Sequence, residues 1–308
     1  MKIIDEKLLR FIGAFFLLNA CSSGGGDVPT PPPTPPDPIP VVKKIPINLS
    51  CRVSSRVTES NYEAGDKVGL YVVNYEGGNA GTLQVSGNHV SNAAFSYDGS
   101  KWISSTSHYW KDDKTKADFY VYYPYGSVTS VTEYPFSVKK DQSSSSSYQA
   151  SEFLYGVSKN VAPVESAINV TTYHLMSNAI IRLVAGEDFS EADLESDNVS
   201  VSINGLKTDS KINLRTGEVV ATGETYAITP LNIDGTYKAL IVPQVVSAED
   251  FITIELGGQT YKMPKDDFAF VSGKRYSFTV TISKKESGIN VNIAEWEDDG
   301  IDNGGTAE

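Results

Sequence analysis

The chain has 308 residues, a net charge of −12 and a hydrophobic fraction of 40%. This length corresponds to about two domains of ~100–200 residues each, and the apolar content is sufficient to build folded cores. The acidic balance argues against nucleic-acid binding and against docking on anionic lipid, since both require a basic surface. Two cysteines, Cys21 and Cys51, are too few for a disulfide scaffold or a cysteine-rich zinc site.

Residues 1–20 have the features of a secretory signal. Basic residues precede an apolar run over residues 11–18, which is shorter than the ~20 residues that span a bilayer. The run ends in Leu18-Asn19-Ala20-Cys21, which resembles a bacterial lipobox. This resemblance implies cleavage before Cys21 and lipidation of its thiol. The alternative is an ordinary signal peptide followed by an incidental cysteine.

A spacer follows the proposed lipid attachment site over residues 21–40. Its second part, residues 29–40, contains eight prolines in twelve positions. Such a segment favours extended polyproline II and acts as a semi-rigid tether. A flexible Ser/Gly stub followed by a stiff tether suits a module that stands off from a membrane.

The remainder of the chain is dominated by period-2 alternation of apolar and polar residues, which predicts β-strands. Two segments depart from this alternation. The serine run over residues 143–147 predicts a loop, and residues 190–197 predict a short helical turn with Ser190 as N-cap. The predicted strands are Ile45–Val53, Val68–Val73, Phe119–Tyr123, Ile168–Tyr173, Ala179–Val184, Val199–Ile203, Ala239–Val242, Phe251–Leu256, Tyr276–Ile282 and Ile289–Ile293.

Many short antiparallel strands with one polar face indicate an all-β protein built from β-sandwiches. The body is large for one small sandwich, so we divide it into two. The boundary is placed around Pro163, where small and polar residues precede a new strand. The predicted domains are residues 41–164 and residues 165–308, the second with an acidic tail.

The sequence contains no motif of a nucleophilic, phosphate-binding or dinucleotide-binding site, so we expect no enzyme activity, no metal and no cofactor. His174 fits a structural histidine at a strand end better than a catalytic one. The acidic residues 295–303 lack the spacing of an EF-hand calcium loop. Trp102 and Trp110 have faces that could stack on sugar rings, but core packing explains them more economically.

The order of short motifs over residues 45–296 resembles the fimbrillin family of Bacteroidales. This resemblance implies two tandem transthyretin-like antiparallel β-sandwich domains, export as an outer-membrane lipoprotein, and assembly into a cell-surface fimbria with other fimbrial subunits by strand exchange. The motifs are Glu63-Ala64-Gly65-Asp66-Lys67-Val68-Gly69-Leu70-Tyr71, Ala117-Asp118-Phe119-Tyr120-Val121-Tyr122-Tyr123-Pro124, Asp141-Gln142-Ser143, His174-Leu175-Met176-Ser177-Asn178-Ala179, Ile212-Asn213-Leu214-Arg215-Thr216-Gly217, Ala239-Leu240-Ile241-Val242-Pro243-Gln244 and Ile293-Ala294-Glu295-Trp296.

Strand exchange needs a strand that leaves and a strand that replaces it. The removable strand would present Ile45, Ile47, Leu49, Cys51 and Val53 to the core. Arg52 and Arg56 are candidate sites for an arginine-specific protease, because no arginine occurs between Arg56 and Arg182. Equally, both arginines could lie on the solvent face of a strand that is never cut.

The candidate donor strand is Ile289, Val291 and Ile293. If this run pairs within its own domain, the protein is a fimbrial tip or an uncut anchor; if it is donated, the protein is a stalk subunit. The sequence leaves these roles open. A second class of function is a surface lipoprotein that binds glycans and never polymerises.

Overall fold

The structure is a computed structural model, and it describes residues 44–54, 61–186, 189–194 and 199–282 together with the strand Gly288–Glu295. The elements are β1 (Leu49–Val53), β2 (Lys67–Glu76), β3 (Asn79–Ala80), β4 (Val90–Tyr97), β5 (Trp102–Ile103), β6 (Ala117–Tyr123), β7 (Tyr134–Ser137), α1 (Ser145–Gln149), β8 (Leu154–Val161), β9 (Ile168–His174), β10 (Ser177–Ala185), α2 (Glu191–Leu194), β11 (Ser200–Asn213), β12 (Glu218–Ile228), β13 (Leu231–Ile233), β14 (Thr236–Ile241), β15 (Gln244–Leu256), β16 (Gln259–Phe270), β17 (Lys274–Ile282) and β18 (Gly288–Glu295). The predicted all-β class is therefore confirmed.

The first sheet has the strand order β1-β9-β8-β6-β2-β4-β5, and β3 pairs with β2. Neighbouring strands are antiparallel except β1, which runs parallel to β9. Alternate residues of β2 and β6 turn toward one core, where Val68, Leu70 and Phe119 are fully buried. The period-2 pattern of the sequence is thus the pattern of core-facing side chains.

Two further sheets face each other across a second core. One has the order β13-β14-β10-β17-β18, and the other has the order β12-β11-β15-β16 with β7 attached to β11. A cluster of aromatic rings lies between them: Phe268 and Phe270 each pack edge-on against Tyr276, with ring centroids 5.2 and 5.1 Å apart. Edge-to-face pairs of this kind add about 0.5–1.5 kcal/mol to the area they bury.

The hydrogen-bonding pattern does not divide at the predicted boundary between residues 164 and 165. Strand β9 follows that boundary, yet it pairs with β1 and β8 of the first sheet. Strand β7 precedes it, yet Tyr134 to Ser137 pair with Ile212 to Asp209 of β11. The change from the first sheet to the next falls between His174 and Ser177. The division into two domains at 164/165 stays a prediction.

Two short helices connect strands. The prediction of a loop over residues 143–147 is wrong in its second half, because α1 begins at Ser145. The physical reason is capping: the Ser144 hydroxyl accepts the backbone N–H of Ser147 at 3.1 Å, which satisfies a donor that the first turn leaves unpaired. The helical turn predicted near Ser190 is confirmed as α2, and Asp193 accepts hydrogen bonds from the backbone and hydroxyl of Ser190.

Candidate functional site

The segment from Ile45 to Val53 forms the edge of the first sheet and hydrogen bonds on two sides. In its first part the Ile47 N–H donates to the carbonyl of His108 at 2.8 Å, and the Trp110 N–H donates to the carbonyl of Ile45 at 2.9 Å. In its second part β1 runs parallel to β9, with Leu49 opposite Ile168 and Val53 opposite Thr172. This segment therefore fills a slot between two other parts of the domain.

The side chains of this segment alternate between core and solvent as the sequence predicts. Ile47 and Leu49 are each 5% exposed and belong to the first core, while Ile45 and Cys51 are partly buried against it. The Trp102 indole N–H donates to the Cys51 carbonyl at 3.3 Å. Removal of the segment would open an apolar groove, with unpaired backbone groups along β9 and near Trp110.

Arg52 lies on the outward face of β1 and is exposed. Its Nε donates to Thr171 Oγ1 at 3.1 Å, and its own carbonyl accepts from Thr172 Oγ1 at 3.2 Å. The backbone at Arg52 is therefore part of a paired strand, and a protease would reach it only after β1 opened locally. Arg56 and Cys21, the other predicted processing residues, lie outside the described residues.

The candidate donor strand, β18, is the edge strand of its sheet and pairs antiparallel with β17. The register places Ile289 opposite Val280, Val291 opposite Phe278, and Ile293 opposite Tyr276. In this structure the run is thus paired with a strand of its own chain. Among the described strands, β17 is its only hydrogen-bonded neighbour.

The aromatic residues considered for sugar stacking are mostly internal. Trp102 is 7% exposed and Trp110 is 5% exposed, and both indoles belong to the first core. Tyr109 is more accessible, at 39%. The prediction that core packing explains the two tryptophans is confirmed, and neither offers a ring face to a glycan.

His174 ends β9 and is buried, with its Nδ1 2.9 Å from Glu152 Oε2. This carboxylate partner lies 22 residues away in sequence, and only the pairing of β8 with β9 brings the two together. Sequence reasoning also missed a pocket beside this pair, in which Tyr123 donates to Asp66 at 3.2 Å. Burial and the neighbouring Asp66 carboxylate raise the pKa of the Tyr123 hydroxyl, so it remains protonated.

Across the part of the chain that the structure describes, no group of three or more histidine, cysteine, aspartate or glutamate side chains is arranged to hold a metal ion. The same residues include no helix that is long and apolar enough to cross a membrane. What the geometry does present is a set of β-sheets with a core-filling strand at one edge and a late strand at another. This arrangement defines an all-β protein with an early strand and a late strand at sheet edges.

The fimbrillin-like family model matches residues 55–296, and the chain belongs to this family. It is 27% identical to the "Putative fimbrium subunit Fim1C" of Bacteroides uniformis over 309 residues, covering 94% of this chain and 95% of that protein.

Solved structures show the same fold. One, a "putative cell adhesion protein" of Bacteroides uniformis, is 20% identical with a TM-score of 0.63 and covers 82% of this chain and 98% of that chain. Another, a "putative cell adhesion protein" of Bacteroides ovatus, is 17% identical with a TM-score of 0.66 and covers 83% and 98%.

Proposed function

We propose that this protein is a structural and adhesive subunit of a cell-surface fimbria, with no enzymatic role. The observation that carries the proposal is the family match over residues 55–296. The relative from Bacteroides uniformis, which bears the name of a fimbrium subunit and aligns along nearly the whole chain, supports it.

Assembly would proceed by strand exchange, with the Ile45–Val53 segment as the strand that leaves. Two observations support this step. The segment lies at a sheet edge, with a β-ladder to β9 and two backbone hydrogen bonds to His108 and Trp110, so its departure would leave unpaired backbone groups for an incoming strand. It also places alternate apolar side chains in the core, so an incoming strand of the same alternation can occupy the same positions.

The incoming strand would come from another subunit, and β18 is the candidate within this chain. Release of β18 requires loss of its pairing with β17. A stalk role therefore requires β18 to detach, whereas a tip or uncut-anchor role leaves it where it is.

Export would follow the lipoprotein route, with lipid on Cys21 and retention at the outer membrane before assembly. The lipobox-like Leu18-Asn19-Ala20-Cys21 and the proline-rich tether support this route. Several acyl chains, at about 0.8 kcal/mol per buried CH2, would hold the precursor firmly. Cleavage after Arg52 or Arg56 would then separate the rest of the chain from the lipid anchor. The first strand would stay on the N-terminal, lipid-bearing fragment.

The proposal is tested on surface material from cells that express the full chain. We expect a ladder of multimers on a gel run without boiling, and an N-terminus after residue 52 or 56 in the ladder. Cys21→Ser should remove metabolic acyl labelling, and Arg52→Ala and Arg56→Ala identify the cleaved bond. A sharp monomer from wild-type cells would refute assembly, and ladder subunits that begin at Cys21 would refute processing.

A further inference from the structure

A cavity of about 120 Å³ lies where the two halves of the described chain meet. It is bounded by the end of β1 at Val53, residues 61–66, α1, the β8–β9 pair, and the start of β10 and end of β14. The proposed strand exchange would remove Val53 from the wall of this cavity, but neither strand exchange nor the lipid anchor assigns the cavity a ligand. Its lining includes Tyr62, Glu63, Asp66, Tyr123, Glu152, His174, Asn178 and Leu240.

The lining residues that the structure describes are rich in hydrogen-bond acceptors and include no lysine or arginine. Three carboxylates contribute, from Glu63, Asp66 and Glu152. Asp66 accepts one bond at each oxygen, from the Tyr123 hydroxyl and from the Glu63 N–H. Glu152 Oε1 accepts from the Phe153 N–H, and Oε2 contacts His174. Because each carboxylate oxygen can accept more than one bond, both groups keep capacity for a further donor.

A buried amide supplies a second, independent feature. Asn178 is 1% exposed and lines the cavity, and its Oδ1 has no hydrogen-bond partner. A buried acceptor without a donor is costly, and native proteins rarely leave one unpaired. The unpaired acceptor therefore belongs to a side chain that lines the cavity.

Aromatic rings form another wall. Tyr62 and Tyr123 pack edge to face, with ring centroids 5.9 Å apart, and both line the cavity. Burial raises the pKa of the Tyr62 hydroxyl, which bonds Thr172 Oγ1 at 2.8 Å. The two phenols are thus neutral, and neutral aromatic rings attract cations.

We propose that this cavity binds the guanidinium group of an arginine. Its volume is well below the ~300–1,000 Å³ of pockets for drug-sized ligands, so it takes a small head group. A guanidinium carries five N–H donors in a plane, which matches acceptors on several sides and an aromatic wall. A compact ammonium would leave more of these acceptors unfilled.

The test is isothermal titration calorimetry of the full chain with N-acetyl-arginine amide. The matched neutral ligand is N-acetyl-citrulline amide, which has nearly the same shape and no charge, and N-acetyl-lysine amide tests the ammonium alternative. We expect saturable binding of the arginine ligand that is at least 10-fold tighter than that of either control. Equal binding of citrulline, tighter binding of lysine, or no arginine binding would overturn the proposal.

Variants locate the site. Glu152→Gln removes one charge at almost unchanged size, and Asn178→Leu removes the unpartnered acceptor; each should weaken arginine binding at least 10-fold. Glu133→Gln removes a charge from an exposed residue outside the cavity and should change binding less than 2-fold. Circular dichroism of each variant verifies folding. If Glu152→Gln folds and binds as the wild type does, the cavity is not the site.

The source of the arginine is resolved by comparing the amino-acid amide with a short peptide that contains one arginine. Tighter binding of the peptide would identify a polypeptide partner, and equal binding would identify the side chain as the whole ligand. This result is independent of fimbrial assembly: a failed titration leaves the multimer ladder unaffected, and a missing ladder leaves the titration unaffected.

Discussion

At the residue scale, Gln142 shows how one side chain can take the place of a missing strand. It is fully buried. Its Oε1 accepts the Leu240 N–H at 2.8 Å, and its Nε2 donates to the Leu240 carbonyl at 2.8 Å and to the Lys139 carbonyl at 3.0 Å. Strand β13 pairs with β14 only as far as Lys238, so the amide of Gln142 satisfies backbone groups that β13 does not reach.

We expect Gln142→Leu to lower the free energy of unfolding by about 3 kcal/mol, because it leaves the buried N–H and carbonyl of Leu240 without partners at about 1–3 kcal/mol each. Urea denaturation measures the change. Gln84→Leu is the control, since Gln84 is exposed and its loss should change stability by less than about 0.5 kcal/mol. Equal effects of the two substitutions would contradict this account of Gln142.

Asp112 provides a prediction about pH. Hydrogen bonds from the Thr115 hydroxyl, and then from the backbone N–H groups of Thr115 and Lys114, lower the pKa of Asp112 to about 2. A carboxyl whose folded pKa is depressed stabilises the fold above its ordinary pKa of ~3.9, and this stabilisation is lost as the pH falls toward 2. We expect an NMR titration of Asp112 to show a midpoint near 2.

Thr115→Val removes the hydroxyl donor and should raise the Asp112 midpoint toward the ordinary value, while Thr115→Ser keeps a hydroxyl and should leave it low. A midpoint near 2 in the valine variant would show that the threonine hydroxyl is not the main cause.

At the element scale, β1 and β18 are both edge strands. The side chains of β1 complete the first core, and the alternation that identifies them was visible in the sequence.

The polar strands β12 and β16 were not predicted, because most of their residues are exposed and little apolar alternation marks them. Their pairing with β11 and β15 depends on tertiary neighbours that a local pattern does not contain.

Leu49→Ala should destabilise the protein by about 3 kcal/mol, within the ~2–5 kcal/mol typical of a buried leucine. The outward-facing neighbour Arg52 supplies the control, and Arg52→Ala should cost less than about 1 kcal/mol. Equilibrium unfolding in urea measures both. If the two substitutions cost the same, β1 does not pack into the core as described.

At the scale of the whole molecule, the turn between β11 and β12 makes two of the contacts that join the later strands to the first sheet and the loop before β4. The Arg215 Nε donates to the Leu83 carbonyl at 2.9 Å, and Gly217, with φ +80°, lies beside the Tyr155 ring. Sequence reasoning identified Ile212 to Gly217 and Gln142 as motifs, and the predicted strand Ile45–Val53 contains β1, which begins at Leu49. It could not pair His174 with Glu152 or find the acceptor-lined cavity, because both arise where distant strands meet.

Gly217→Ala tests this contact. A Cβ at Gly217 would lie 2.7 Å from Tyr155 Cδ1, whereas a Cβ at Gly235, with nearly the same φ of +78°, would meet nothing within 4 Å. Both substitutions strain the backbone by about 1–2 kcal/mol. We therefore expect Gly217→Ala to lower the thermal unfolding temperature more than Gly235→Ala does; equal shifts would mean that Tyr155 moves aside freely.

The inward position of Cys51 on β1 has a practical consequence: the rate at which its thiol is modified can report how often the strand leaves its place. Burial raises the pKa of this thiol, so little thiolate is present to react while β1 is seated. In a Cys21→Ser background Cys51 is the remaining thiol, and its rate of reaction with a disulfide reagent reports how often β1 opens. Competition by a peptide copy of residues 45–53 should accelerate that reaction if an added strand can displace the resident one.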